Sequence, residues 1–480
     1  MNRLLVAIMC CLTSSTTVRA ADADDVWPQW RGPDGTGYAK KADPPIEWSE
    51  TKNIRWKVAI PGKGNATPII WEDRIYIQTA IKTEKQEKPA PDAAMGNTSS
   101  SLRLANSGDN GWQGFVSQQP ADPGRRPRVR RGRGRRAEKP THVYRFVVMA
   151  LDRNNGKVIW EKTACESVPH EAGHPDSSQA SNSPVTDGKH LYAFFGSRGL
   201  YCLDMNGKLK WHKEFGRMQT RAGFGEGSSP ALYGDTVVVN WDHEGQSFVV
   251  ALNKITGKQL WKVDRDEQTS WTTPIIVEDG SRRQVIIGGS NFVRSYDLAT
   301  GEVIWKCKGL TANVVPTPVC DFGMVFVMSG YRGNALLAIR YKGASGDITN
   351  TDAVVWKHDK GTPYVPSPLL TGDNLFFLQR NNAILSCFDA KTGKEHYSRE
   401  RLDGIEGIYA SPVAARDRVY IVARNGKTLV IKRAPELKIL ATNALEDSFA
   451  ASPAIAGNEL YLRGEKSLYC IAEETLAQAQ

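Results

Sequence analysis

His170 and His174 stand at H-x-x-x-H spacing, which on a helix would place two imidazoles on one face and could hold zinc. Their segment, VPHEAGHPDSS, is broken by Pro169, Gly173 and Pro175, so no helix is expected there and no third ligand can be assigned. The chain has no G-x-S-x-G, no H-E-x-x-H and no phosphate-cradling Gly-Lys loop, so hydrolase and nucleotide-binding functions have no footing. Arginine, by contrast, recurs in register. Arg198, Arg332, Arg380, Arg424 and Arg463 each follow a Ser/Thr-Pro pair by 10 to 14 residues. A guanidinium fork pairs with two oxygens at once and so suits carboxylate, sulfate or phosphate. The alternative is that Arg-Gly and Arg-Asn merely form turns with solvated side chains. Trp271, Tyr364 and Tyr409 each lie just before one of these prolines and complete the candidate ligand-binding set.

A second source of positive charge lies at 81–143, where PGRRPRVRRGRGRR carries eight arginines within residues 125–136. That segment has thirteen basic and six acidic residues, a net of +7 in a chain whose total is +10. Its Pro, Ser, Gly and charge content predicts disorder, because too few apolar residues offset the chain entropy. It reads either as a solvated loop or as an electrostatic tether to anionic polysaccharide, lipopolysaccharide or another acidic polymer. RGRGRR also occurs in nucleic-acid-binding segments, a partner that export argues against.

These residues are carried by a repeat. ALDRNNGKVIW (150–160) reads as a strand, an Asn155-Gly156 turn and a second strand. It returns as CLDMNGKLKW, ALNKITGKQLW and SYDLATGEVIW, ending at Trp211, Trp261 and Trp305; CFDAKTGKEHY has Tyr397 in place of tryptophan, and DAVVWKHD keeps only the last strand at Trp356. Ser/Thr-Pro pairs recur in step at Pro68, Pro184, Pro230, Pro274, Pro318, Pro368, Pro412 and Pro453. From Pro184 onward the gaps are 46, 44, 44, 50, 44 and 41 residues. Eight all-strand copies predict an all-β, eight-bladed β-propeller of four-stranded blades. The last copy has three strands, and Asn53 to Ile60, with Trp56 in the docking position, is expected to supply its fourth and close the ring. The loops before each Ser/Thr-Pro, the turns bearing the arginines and the 81–143 insert then share one face, here called the top. Blades three and four interrupt the basic arc with Asp242-His243-Glu244 and Ser290-Asn291.

The pattern A-x-D-x-x-x-G-x-x-x-W, met in full by Ala150, Asp152, Gly156 and Trp160, resembles the tryptophan-docking repeat of the pyrroloquinoline quinone (PQQ) type propellers. That superfamily includes quinoprotein dehydrogenases and, without a cofactor, the outer-membrane assembly lipoprotein BamB. The likeness covers 53–474, and WPQWRGPDGTGYA resembles the start of secreted bacterial PQQ-like proteins. It implies that Trp160, Trp211, Trp261, Trp305 and Trp356 are structural pins buried between blades. A dehydrogenase of this kind needs a dry central pocket with an aromatic floor, Asp, Glu and Asn oxygens around calcium, and a carboxylate base. Asn182, Glu226, Trp241 and Asp242, with Trp271, could supply that set.

MNRLLVAIMCCLTSSTTVRA looks like a secretory signal: Arg3, a short apolar run from Leu4 to Leu12, and cleavage after Ala20. The run is too short to span a bilayer. Lipidation at Cys10 or Cys11 is disfavoured by its neighbours, so a secreted or periplasmic protein is expected. Of the remaining cysteines, Cys202, Cys387 and Cys470 share the phase of Ala150, where a small buried residue is wanted. Cys307 and Cys320 fall on outer and inner strands, beyond disulfide reach, and the vicinal Cys pair typical of quinoprotein alcohol dehydrogenases is missing from the mature chain. The organisation is a signal at 1–20, an extension at 21–52, the propeller at 53–474 and a tail at 475–480. The expected function is that of a monomeric, non-enzymatic binding or scaffold propeller without metal or cofactor. Its partners would be proteins or an anionic polymer, met through the top face and the basic insert. A PQQ- and calcium-dependent dehydrogenase is the alternative.

Overall fold

The computed structural model describes residues 25–87 and 139–473. The signal sequence, Arg125 to Arg136 and the tail from 474 lie outside the described residues. Eight antiparallel sheets follow one another along the chain as propeller blades. Blade 1 comprises Ile69–Trp71, Arg74–Gln86, His142–Asp152 and Val158–Ser167, from the innermost strand outward. Its two middle strands are longer than the repeat predicts. They still pair at Lys82↔Tyr144 and Gln86↔His142, inside the segment read from composition as structureless. Blade 8 is built from Ala454–Ala456, Glu459–Arg463 and Ser467–Ile471, and its outer strand is Ile54–Ala59, paired antiparallel with Ser467–Ile471. The ring is closed as the missing fourth strand requires.

Two blades carry a fifth strand that the repeat does not announce. Tyr38–Ala39 lies parallel to Val413–Ala415, the innermost strand of blade 7. Gly346–Asp347, part of a long excursion in blade 5, lies parallel to the outer strand Val303–Cys307 of blade 4.

The recurring Ser/Thr-Pro pairs form a belt around the axis. The N–H of Thr67 donates to Ser183 Oγ (2.9 Å), that of Ser183 to Ser229 Oγ (2.9 Å), and that of Ser229 to Thr273 Oγ1 (3.0 Å). The series continues from Thr273 to Thr317 (3.0 Å), then Ser367, Ser411 and Ser452 (each 2.9 Å). At the seam between blades 8 and 1 the bond changes form, and Thr67 Oγ1 donates to the Ser452 carbonyl (3.0 Å). The chemistry follows from residue type. A residue before proline is held extended, and proline has no N–H of its own to satisfy. The single remaining N–H therefore turns sideways to the next blade, where a short hydroxyl accepts it.

The outer rim is pinned by the docking tryptophans. Trp56, Trp160, Trp211, Trp261 and Trp356 donate their indole N–H to carbonyls of the following blade: Arg153, Met205, Lys254, Leu298 and Ala390. Each ring covers a glycine of that blade's turn. A Cβ at Gly156, Gly257, Gly301 or Gly393 would come within 2.7 Å of an indole, and at Gly207 within 2.9 Å. These glycines also have positive φ, from 67° to 80°. The repeat's aspartate shapes the turn: Asp152 Oδ1 accepts from Asn154 N and Asn155 N, and Gly156 N bonds back to the Asp152 carbonyl. Trp261 and Trp56 are buried, whereas Trp160, Trp211 and Trp356 are half-buried. Trp305 departs from the pattern. It is fully buried but donates to Gln284 Oε1 of its own blade (3.0 Å), because the excursion of blade 5 replaces the usual turn and its Gly346 pairs with Trp305. The small residues predicted opposite the tryptophans stand there, at Ala150↔Trp160, Cys202↔Trp211 and Cys470↔Trp56. All six described cysteines are free thiols.

The N-terminal extension crosses the axis just beneath the belt. Trp27 exchanges backbone hydrogen bonds with Ile70 of blade 1, the Pro28 carbonyl accepts from Thr186 of blade 2, and Gly37 accepts from Ala414 of blade 7. Arg31 (2% exposed) extends its guanidinium to the carbonyls of Pro412 (2.6 Å), Pro368 (2.8 Å) and Thr36 (3.0 Å). With carbonyls and no carboxylate around it, burial pulls its pKa down to about 9. Arg153 staples the seam beside the closing strand, bonding Glu459, Tyr461, Asp25 and three backbone carbonyls.

Two substitutions test these devices. Trp261→Ala should cost about 3–5 kcal/mol of unfolding free energy in a urea titration. Thr317→Val keeps the side-chain shape but strands the Thr273 N–H, and should cost about 1–3 kcal/mol.

Candidate functional site

The loops preceding the belt converge on a top-face cavity of about 240 Å³ on the axis. Trp30, carried up from the crossing extension, lines it from the plugged side, and Phe224, Trp271, Tyr364 and Tyr409 supply further aromatic lining. Belt hydroxyls from Ser183, Ser229, Ser411 and Ser452 reach the same space, as do Asn65, Asn381, Asp176 and Glu226.

The connection at 168–183 forms a strap across this mouth. His170 Nε2 donates to the Met218 carbonyl (2.6 Å), and Glu171 accepts from the Thr220 N–H (2.8 Å) and its hydroxyl. His174 meets Phe224 edge-on at 5.3 Å and accepts the Asp176 N–H on Nδ1. The far end reaches blade 7, where Asp176 accepts from Tyr409 Oη (2.8 Å) and from Arg424. Burial opposes ionisation of Asp176, yet Tyr409 and Arg424 together hold its carboxyl below the usual carboxylate range. The two histidines thus serve the strap on separate partners. Among the described residues no group of three His, Cys, Asp or Glu side chains could hold a metal ion.

The five registered arginines do not form one arc. Arg332 and Arg380 are exposed, both with positive φ (50° and 53°). Arg332 lies over Tyr331, whose ring stacks on Tyr364 at 5.1 Å. Arg198 is half-buried against Phe146 and faces Glu226 Oε1 (3.5 Å) and His170 (3.4 Å). Arg424 is tied to Asp176, with Tyr409 under it at 5.2 Å. Arg463 is 2% exposed, donates to the Gly464 carbonyl (3.0 Å), and is pulled down to about 10 by burial. The arc breaks because neighbouring loops bring acids to two of these arginines and the blade 8 packing encloses a third.

Of the set named for calcium and quinone, Trp241 stands apart from the other three. Trp241 (1% exposed) is core between blades 2 and 3, stacked on Phe248 at 5.7 Å. Asp242 is locked to Arg265 by two bonds (2.7 and 3.0 Å) and accepts from Ser270 Oγ (2.6 Å). Asn182 is buried and donates to the Ser228 carbonyl (2.5 Å). Glu226 alone of these four lines the cavity, and its oxygens accept from Ser197 N and Ser197 Oγ, each at 2.6 Å. That approach depends on Gly196, where a Cβ would sit 1.5 Å from Glu226 Oε2. Asn182, Glu226 and Asp242 do line one small cavity of about 10 Å³ beside the axial one, but their polar atoms there are already engaged by protein groups, Asp242 by Arg265 and Ser270, Glu226 by Ser197 and Asn182 by Ser228, so the set does not fit a calcium–quinone pair as it stands. Trp271 does line the cavity, with its indole N–H on the Gly225 carbonyl (2.7 Å). The contribution of Trp30 is missed by the repeat, because it comes from outside the repeat; the aromatic-rich WPQW preceding RGPDGTG is its one signal.

Comparison with known proteins agrees with this architecture. A family model described as outer membrane protein assembly factor BamB matches residues 144–399. The curated BamB of Yersinia pestis is 24% identical over 332 residues, covering 60% of this chain and 80% of that one. Among solved structures, BamB from Moraxella catarrhalis superposes with a TM-score of 0.50 at 14% identity, covering 70% of this chain and 92% of that one. Quinohemoprotein alcohol dehydrogenase from Comamonas testosteroni gives 0.58 at 10% identity, covering 95% and 82%. At such identities the superpositions report the fold alone.

Acid should release the strap. The folded pKa of Asp176 lies below its unfolded value, so its stabilising contribution is present above about pH 4 and is lost as pH falls through the folded value. Amide exchange across 170–178, corrected for intrinsic rates, should accelerate at acid pH in the wild type. In Asp176→Asn the acid-induced component at the blade 7 end should vanish, leaving the pH dependence due to Glu171, whose carboxyl burial pushes up.

Proposed function

Since the chain belongs to the family described as outer membrane protein assembly factor BamB, we propose that it is an exported, non-catalytic propeller that binds partner proteins on its top face. The observation that carries this reading is the cross-bracing of that face. The strap ties blades 2, 3 and 7 together through Glu171, His174 and Asp176, while the extension closes the opposite side beneath the belt. A surface held in place before binding loses little entropy on association, which favours a docking role. Asp242, Glu226 and Asp176 are each paired with protein donors, so none of the three is free to act as a base, which weighs against the dehydrogenase alternative. The exposed Arg332 and Arg380, beside the Tyr331–Tyr364 stack, give the face an Arg/Tyr patch of the composition common at interface centres. Among the described residues no helix is long and apolar enough to cross a membrane.

A photo-crosslinking residue at position 380 should yield protein adducts in cells, whereas one at Lys394, in an outer turn on the other face, should not. Adducts from Lys394 alone would overturn the assignment of the face. Reduction of an artificial acceptor on adding PQQ, calcium and ethanol would overturn the non-catalytic reading.

A further inference from the structure

We propose that the axial cavity is a saccharide site that takes one six-membered sugar ring. This goes beyond partner docking and rests on different atoms. Three observations converge. The first is an unspent set of donors. Ser183, Ser229, Ser411 and Ser452 each accept a backbone N–H from the preceding blade at 2.9 Å, and none donates to a protein acceptor among the described residues. A hydroxyl has one proton to give, so the cavity holds several O–H donors suited to a ligand rich in oxygen acceptors.

The second observation is neutrality. Among the described residues neither lysine nor arginine lines the cavity, and its two carboxylates are already compensated, Asp176 by Arg424 and Glu226 by Arg198. A ligand with net charge of either sign would leave water without an uncompensated partner to meet it. The third is the aromatic lining. Trp30, Trp271 and Tyr364 offer ring faces or edges, and a pyranose has an apolar C–H face that packs against such surfaces while its hydroxyls point outward. Size agrees: a cavity of about 150 Å³ takes a benzene-sized ring, and the 240 Å³ here leaves room for the substituents. The extension seals the inner end, so the sugar enters from the top, as a free glycoside or as the terminal unit of a glycan.

The test is saturation-transfer NMR and calorimetry on the purified chain with methyl β-D-glucoside, methyl β-D-galactoside and methyl N-acetyl-β-D-glucosaminide. Choline and acetate serve as charged controls. At least one glycoside should saturate below about 10 mM and receive magnetisation from aromatic protons on its C–H face. Trp271→Ala should weaken that binding at least tenfold while the unfolding midpoint holds. Should that variant not fold, the transfer from aromatic protons in the wild type decides alone. Failure of all three glycosides to saturate, or equal binding of choline or acetate, would overturn the site. Crosslinking at position 380 reads the docking proposal separately, so either can fail without the other.

Discussion

The structure depends on one repeated contact, the sideways hydrogen bond from a pre-proline N–H to the Ser or Thr hydroxyl of the next blade. Each bond is modest in isolation, about 1 kcal/mol net. The alternative is far worse, because an inner strand beside the axis has no further strand to pair with, and an unpaired N–H there would be buried. The belt sets the blade-to-blade spacing at the axis, and the docking tryptophans set it at the rim. Between these two rings the side chains of adjacent sheets pack into clusters such as Ile69, Tyr76, Phe146, Leu191 and Phe195. A blade that lost either contact would be free to tilt on the other.

Both rings were legible in the sequence because each is local and periodic. A Ser-Pro, or a Gly four residues before a Trp, needs no knowledge of distant partners. The closing strand was legible for the same reason, since a three-stranded last copy and a stray docking tryptophan at Trp56 define one another. The candidate site was harder. Trp271, Tyr364 and Tyr409 reach the cavity because residues before the belt must face the axis. Trp241 does not, because it lies on a second strand whose side chains alternate into the space between sheets. The arginines share a register but not an environment. Their register is real, but whether each guanidinium is free depends on acids such as Asp176 and Glu226, brought by loops of other blades with no fixed sequence offset.

Apart from Arg31 and Arg463, buried charge among the described residues is neutralised at short range. Asp242 with Arg265, Glu267 with Arg294 and Glu459 with Arg153 are buried pairs lying between or within blades. Such pairs contribute little net stability over apolar substitutes, but removing one partner leaves an uncompensated charge costing about 3–5 kcal/mol. They also restrict how blades can be stacked, because an acid on one sheet accepts only the neighbour that carries its arginine. The repeats are alike in backbone and distinct in these keys.

The extension that crosses the axis gives the molecule an unusual order of assembly. Arg31 is bonded to Pro412, 381 residues further along the chain, and Asp43 to Asn458, 415 residues away. A segment made well before its partners is therefore among the last to find its place. Until the N-terminal segment docks, the inner strand of blade 7 and the third strand of blade 8, Ser467–Ile471, lie open as sheet edges, and Tyr38–Ala39 and Ile54–Ala59 have no partner. Long-range closure of this kind is slow. A chain that leaves the ribosome with its N-terminus first must keep that terminus from pairing elsewhere for the whole time of synthesis. Holding it in a translocation pathway, or under a chaperone, until the C-terminal strands arrive would meet that need, so the order of delivery becomes part of the folding code.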